Sequence, residues 1–408
     1  MKNETITFVK NSQLKYNKTS QEYERYKKRD IFKEIKGNFA VLYGIRGSGK
    51  TTLLFQKYLT FEKNKRIYLN AEEIILTGFD LNEIIEAVEY LFGDNTAVFI
   101  DEINAIKEWD KKLKISYDTY PKMNFFVTGS SSINIKEAKA VARRAEYFHI
   151  IPLSFREYLY LKYNIKIKQF RIEQNDLRKS AIHYEIYLKQ MIENEKFKVL
   201  ELVEEYIENN LVYLLEKNKT TLTDLVEKAI LDIGKMKNLE TFTLSKFERM
   251  ILILSSSSET NYENLSKDLD ISKSMVGEML SSLEKTGLIK KVYPFKKGKT
   301  IARKNWKYFF TVPSIRKIYA QKLLVDNTKI NGYMMEDIFA SNFEDIYFGE
   351  IDFIWKNYLI EIGSRKKGYK QFKKINTKMN KIIIYNGLEV EGKEDIIKIP
   401  FYIWYSQI

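Results

Sequence analysis

The run Gly44-Ile45-Arg46-Gly47-Ser48-Gly49-Lys50-Thr51 has the residue types and spacing to hold a polyphosphate. It fits the pattern G-x-x-x-x-G-K-[ST] without departure. The glycines let the backbone wrap an anion and turn its N–H groups inward. The start of the following helix adds a partial positive charge, and Lys50 adds a full one. Thr51 is placed to put a hydroxyl on Mg²⁺, and the binding set extends to Thr52, where the helix continues. The plainer alternative is an ordinary glycine turn before a helix. Against it stand the apolar run Phe39–Tyr43, which reads as a buried strand, and the helical spacing of Leu53, Leu54 and Tyr58.

Two acids, Asp101 and Glu102, end the apolar run that starts at Thr96. A run of this length suits a parallel strand buried on both faces, and its C-terminal end is where open α/β sheets bind ligands. Asp101 is then expected to hold Mg²⁺, and Glu102 to polarise an attacking water as general base. Such a pair implies hydrolysis of a nucleoside triphosphate, which binding alone would not require. A further apolar run, Asn124–Thr128, ends in Gly129-Ser130-Ser131-Ser132. Thr128 and Ser130 are candidates to reach the γ-phosphate or the water; equally, the serines cap a helix beginning near Asn134.

These groups need a scaffold. Strands are expected at Phe39–Tyr43, Arg66–Asn70, Thr96–Asp101, Asn124–Thr128 and Tyr147–Pro152. Helices are expected between them at Thr51–Thr60, Leu81–Leu91, Ala105–Asp118 and Asn134–Arg144. Strand and helix in alternation mean a parallel sheet with helices on both faces. Ahead of the core, residues 1–30 form a polar, charged segment, with a strand at Thr5–Val9 and a helix.

The pieces GIRGSGKTT, FIDEINAIKEWDKKLK, FFVTGSSS and ARRAEYFHIIPLSFREYL resemble a large prokaryotic family of AAA+-type ATP-binding proteins, best populated in archaea. The resemblance implies an α/β P-loop NTPase core of AAA+/ASCE type, followed by a helical lid, a winged helix and a small α+β domain like a restriction endonuclease, the last degenerate. Mapped here, the parts are 1–30, the core 31–155, the lid and connector 156–240, the winged helix 241–325 and the C-terminal domain 326–408. It also implies ATP rather than GTP. The family carries a Gly-Arg pair before the fifth strand; here the pair is Arg143-Arg144. Arg144 thus occupies the position of an arginine finger, acting in cis or from a neighbouring subunit, or is one of a surface basic pair. Arg156 is expected to be a structural partner of acids such as Glu157 or those of the Asp101 loop, not a catalytic group.

Leu200–Glu216 carries apolar positions at helical spacing, the mark of packed core. In the winged-helix segment, helices are expected at Phe247–Leu254, Tyr262–Leu269 and Ser272–Lys285, then strands at Leu288–Tyr293 and Trp306–Thr311. From Lys290 to Lys307 there are eight Lys or Arg and no acid, which suits the phosphates of duplex DNA; protein docking is the competing role. In the last domain Asp352 and Glu361 resemble the metal-holding acids of the endonuclease-like fold, with Glu336 as a further acid. The lysine that cleavage requires is replaced by Gly363. Binding or docking is therefore expected there rather than cutting. The stretch Arg365 to Lys381 adds eight basic residues and no acid.

The 408-residue chain carries 68 Lys+Arg against 54 Asp+Glu, a formal net charge of +14, which favours an acidic partner such as DNA. It has no cysteine, so disulfides, zinc fingers and thiol catalysis are excluded, and a cytoplasmic location is expected; with only His149 and His183, histidine-based metal sites or triads are not expected. No export signal or membrane-spanning run is read. Three functions remain: an ATP-driven switch or motor on DNA, as a monomer or a homo-oligomer; a nucleotide-gated regulator that docks proteins; and an ATP-dependent nuclease.

Overall fold

The computed structural model describes residues 3–129, 138–172, 176–194, 198–215, 222–237, 241–257, 261–295, 306–364, 368–372, 375, 377–393 and 395–407. The chain divides into two units, Met1–Ile151 and Pro152–Ile408.

The first unit opens with helix α1 (Asn3–Thr19), so the β-branched run Thr5–Val9 is not a strand. Thr5, Val9, Ser12 and Tyr16 are its buried residues, a spacing of three and four that one helix face satisfies and a strand does not. The apolar runs that follow form β1 (Phe39–Tyr43), β2 (Arg66–Asn70), β3 (Ala97–Asp101), β4 (Asn124–Gly129) and β5 (Glu146–His149). All pair in parallel, in the order β2-β3-β4-β1-β5. Helices α2 (Lys50–Tyr58), α3 (Ala71–Thr77), α4 (Leu81–Phe92) and α5 (Trp109–Thr119) alternate with them. Every residue of β3 is buried, as a strand covered on both faces requires.

Two apolar clusters flank the sheet. One gathers Val41, Ile67, Ile84, Val88, Val98 and Leu113. The other is aromatic, with Phe55 stacked on Tyr68 at 4.1 Å and Phe99 on Phe126 at 4.9 Å between centroids. Helix α1 contributes Val9 to the first and Tyr16 to the second, straddling edge strand β2 and shielding it from stray pairing. Residues 134–137 of the helix expected at Asn134–Arg144 lie outside the described residues; 139–144 are turns.

In the second unit Ser154 caps α6 (Phe155–Tyr163) through a capping box with Glu157. Then come α7 (Leu177–Asn194), α8 (Val199–Glu208), α9 (Val212–Leu215), α10 (Leu222–Lys237), α11 (Thr241–Ser255), α12 (Tyr262–Leu269) and α13 (Lys273–Lys285). The single helix expected over Leu200–Glu216 breaks after Glu208. There the Asn209 amide bonds back to the Glu205 carbonyl, and the Asn210 carbonyl accepts from Leu153 N–H at 2.6 Å.

Hairpin β6 (Ile289–Pro294) and β7 (Lys307–Phe310) is followed by α14 (Pro313–Lys322) and α15 (Asn327–Asn342). The remaining strands are β8 (Ile346–Phe348), β9 (Phe353–Trp355), β10 (Tyr358–Gly363), β11 (Asn380–Tyr385), β12 (Glu391–Lys393) and β13 (Ile396–Pro400). They form one sheet with the hairpin, in the order β12-β13-β11-β10-β9-β8-β6-β7, through parallel pairing of Tyr293 with Tyr347 and Pro294 with Phe348. No sheet boundary therefore falls at residue 325. A fully buried ion pair fastens this junction. Arg316 on α14 binds both Asp337 oxygens at 2.6 and 2.8 Å, and its other Nη donates to the carbonyls of Leu254 and Ser255. Asp337 in turn accepts from Phe310 N–H at 2.8 Å.

Candidate active site

The loop Gly44–Gly49 leaves β1 and enters α2 with Gly44, Gly47 and Gly49 at φ of 152°, 78° and 92°. A Cβ on Gly44 would stand 2.3 Å from the Ile150 carbonyl oxygen, so only glycine passes there. Lys50, almost wholly buried, donates to the carbonyls of Gly44 and Ile45 at 3.0 Å each. The Ser48 hydroxyl is buried within the loop with no hydrogen-bond partner among the described residues. An orphaned donor in a glycine loop at a helix start is the environment a phosphate oxygen completes. The residues present therefore fit a nucleotide phosphate.

Strand β4 lies between β1 and β3, so the loop and the acid pair are separated by two strand spacings, about 10 Å. Side chains close the gap. Thr51 Oγ1 donates to Asp101 Oδ2 at 2.9 Å, Tyr68 OH donates to the same oxygen at 2.8 Å, and Thr128 Oγ1 donates to Oδ1. Thr128 Oγ1 also accepts from Glu102 N–H at 3.2 Å. One nearly buried carboxylate thus collects hydroxyls from α2, β2 and β4. Burial first, and then the Asp101 charge, push the Tyr68 phenol well above its usual range, so it remains a proton donor.

Glu102 follows in the left-handed conformation, φ 53° and ψ 43°, which turns its side chain away from the β3 direction. Its Oε1 lies 4.0 Å from Arg46 Nη1 of the loop, with both side chains partly open to solvent. The structure therefore brings together Arg46, Ser48, Lys50, Thr51, Asp101, Glu102 and Thr128. Ser130 lies outside the described residues.

Arg144 is not among these groups. Its guanidinium grips both oxygens of Asp118 at 2.7 and 2.9 Å. It precedes β5, whose first residue Glu146 pairs with Ala40, whereas the loop follows Tyr43, paired with His149. In a parallel sheet this places Arg144 at the edge opposite the loop. A finger acting in cis is incompatible with that placement. Arg156 Nε donates to the Ile167 carbonyl at 3.4 Å.

Two contributors carried no local signal. Arg29, almost fully buried, donates from one Nη to the carbonyls of Ser48 and Ile151 at 2.9 and 3.0 Å, anchoring the loop from outside. Tyr68 reaches Asp101 only because β2 pairs with β3.

In the second unit, pairing of Phe353 with Ile360 brings Asp352 and Glu361 to neighbouring positions. Asp352 Oδ2 accepts from Ile362 N–H at 2.7 Å, and Glu361 is buried. Burial, and then the Asp352 charge, raise Glu336 up to about 7. Among the described residues no three His, Cys, Asp or Glu side chains form a group that could hold a metal. None of the described helices is long and apolar enough to cross a membrane.

Comparisons agree with the core. Residues 36–159 match the AAA domain, and residues 201–322 match a domain of unknown function, DUF8612. The uncharacterized protein MJ1637 of Methanocaldococcus jannaschii is 30% identical over 406 residues, covering 92% of this chain and 83% of that protein. The uncharacterized protein MJ1544 of the same organism is 29% identical over 415 residues, covering 92% and 90%. Among solved structures, the Aeropyrum pernix ORC1 protein in complex with DNA is 13% identical, covering 72% of this chain and 89% of that one, with a TM-score of 0.31. That likeness is too loose to carry any inference about residues or partners.

Proposed function

The chain belongs to the AAA-domain family of MJ1637, and we propose that it binds and hydrolyses ATP as a nucleotide-dependent switch or motor on DNA. The observation that carries the hydrolytic reading is the convergence of Thr51 and Thr128 on Asp101, with Glu102 at the next position. In this reading Lys50 and the amides of Gly44–Thr52 bind the phosphates, and Thr51 and Asp101 would hold Mg²⁺, which would supply positive charge to the phosphates. Glu102 takes a proton from the attacking water, and Thr128 fixes the backbone that presents it.

Arg144, at the far edge of its own sheet, serves as a finger only for another copy, so the reading includes a homo-oligomer. The ion pair with Asp118 would hold it until a neighbour docks. Turnover per subunit should then rise with protein concentration, and Arg144→Ala should abolish that rise. Concentration-independent turnover would remove the finger from the proposal.

The DNA role rests on charge. Of the basic run from Lys290 to Lys307, Lys290 is paired with Glu344 at 3.2 Å and Lys291 with Glu284 at 3.4 Å. The other basic residues of the run are Lys307 on β7 and, outside the described residues, Lys296, Lys297, Lys299, Arg303 and Lys304. The order α11–α12–α13 then β6–β7 supports a winged helix, with Ser272 capping α13 through Met275 N–H. The nuclease reading gains no support, given Gly363 at the lysine position and no three-acid cluster among the described residues. ATP turnover with and without duplex DNA, over a salt series, tests the proposal; a rate indifferent to DNA leaves only the ATPase.

A further inference from the structure

The phosphate loop has four positions between Gly44 and Gly49. Ile45 and Ser48 are buried and Gly47 has no side chain, so Arg46 alone presents one on the open side of the loop. Gly47, at φ 78°, turns the backbone directly after it. The Arg46 guanidinium crosses from the end of β1 to the end of β3, where Nη1 lies 4.0 Å from Glu102 Oε1. The two side chains are 29% and 22% exposed, open enough to exchange partners. Glu102 is less mobile, because Thr128 Oγ1 holds its N–H and its backbone is left-handed. Within one chain the other candidate cation is elsewhere: Arg144 grips Asp118 at the opposite edge of the sheet. Transition-state charge on a transferring phosphoryl group calls for a cation beside it.

We propose that Arg46 is a catalytic residue: it exchanges Glu102 for the terminal phosphate of a bound triphosphate and neutralises charge there from within the same chain. The inference deepens the hydrolytic reading above and rests on its assignment of Glu102 to the attacking water. A cation that reaches that acid stands beside the place where water and terminal phosphate meet. The exchange runs in the required direction. A partly exposed ion pair at this separation holds weakly, whereas a guanidinium on phosphate makes forked, charge-assisted bonds. Without a triphosphate, Arg46 faces the base; with one, it moves to the substrate and the carboxylate is left to take the water's proton. A diphosphate lacks the terminal group, so it gives Arg46 no reason to leave Glu102. Arg46 thereby also distinguishes a triphosphate from its product.

The test is calorimetry of the full chain with ADP and with a non-hydrolysable ATP analogue, each with Mg²⁺, alongside steady-state turnover. Wild type should prefer the analogue. Arg46→Met should lose about tenfold in affinity for the analogue while ADP binds as before. Its kcat should fall at least a hundredfold, and Arg46→Lys, which keeps the charge but not the fork, should recover part of both losses. Added Glu102→Gln protein, which carries an intact Arg46, should not restore turnover to Arg46→Met. Should the methionine variant fail to fold, Arg46→Gln carries the same measurements. Equal losses for both nucleotides would make Arg46 a strut of the loop and overturn the assignment. An unchanged kcat in Arg46→Met, or rescue by the added copy, overturns it as well. A wild type that binds both nucleotides and hydrolyses neither sinks the hydrolytic reading by itself. Loss of the triphosphate preference in Arg46→Met would then still uphold the contact with the terminal phosphate, and its retention would overturn it.

Discussion

Replacing Thr128 with valine removes one hydroxyl and almost no volume. That hydroxyl donates to Asp101 Oδ1 and accepts from Glu102 N–H. Loss of the first bond leaves one oxygen of a nearly buried carboxylate without this donor, while Thr51 and Tyr68 still hold the other oxygen. A hydrogen bond to a charged group is worth about 1.5–3 kcal/mol, and a stranded buried amide costs about 1–3 kcal/mol. Because one hydroxyl serves both, the losses do not add fully, and Thr128→Val should destabilise the first unit by about 3 kcal/mol. The functional loss is separate. Glu102 sits in a left-handed conformation that costs a non-glycine residue about 1–3 kcal/mol and persists only where neighbours enforce it. Without its N–H anchor the backbone should relax and take the carboxylate out of position. Denaturant unfolding gives the stability change, and steady-state kinetics should show kcat down at least tenfold with KM little altered. Thr128→Ser, which keeps the hydroxyl, should restore most of both. A Thr128→Val protein as stable and as active as wild type, or a serine variant as impaired as the valine one, would refute this reasoning.

Other outcomes follow from the same geometry. Glu102→Gln should bind nucleotide with wild-type affinity by calorimetry yet turn over at least a hundredfold more slowly, about 3 kcal/mol on the barrier; normal turnover would assign the base elsewhere. Arg316→Met should cost about 3–5 kcal/mol by leaving Asp337 charged, fully buried and without its guanidinium. The double change Arg316→Met with Asp337→Leu should recover much of that loss, as read by thermal melting. Glu336, raised to about 7, binds its proton more tightly folded than unfolded, so stability is greatest below the unfolded value and falls as pH rises towards 7. After allowance for its partial solvent access the change is about 2 kcal/mol, and Glu336→Gln should flatten that slope in a pH series of melts.

Legibility followed locality. The strands β1 and β2 lie at their expected residues, and β3 and β4 within one residue, because a doubly buried strand must be apolar throughout and end abruptly. The phosphate loop was equally plain, since its glycines and Lys50 act within eight consecutive positions. Tyr68 and Arg29 were invisible for the converse reason. Their contacts with Asp101 and Ser48 depend on strand order and on the path of the chain before β1, which no spacing encodes. Thr5–Val9 misled because β-branched residues favour strands locally, whereas packing along β2 rewards a helical face. The position of Arg144 before a strand was readable; that the strand runs parallel to β1, which puts the arginine at the far edge, is a tertiary fact.

Lys50→Ala separates ligand from fold. In this structure the ammonium donates to the carbonyls of Gly44 and Ile45. Its removal leaves two loop carbonyls short of a donor, and the loop retains the Arg29 bond to Ser48 and the Thr51 bond to Asp101. The stability cost should therefore stay near 1 kcal/mol, the net worth of ordinary hydrogen bonds. Binding is another matter. The lysine supplies a full positive charge inside the cradle, where the loop amides offer only dipoles to a triphosphate. Nucleotide affinity should fall at least a hundredfold while the melting curve barely moves. A variant that unfolds and loses binding together would mean that Lys50 is a structural strut, and the loop would have to be reinterpreted from that result.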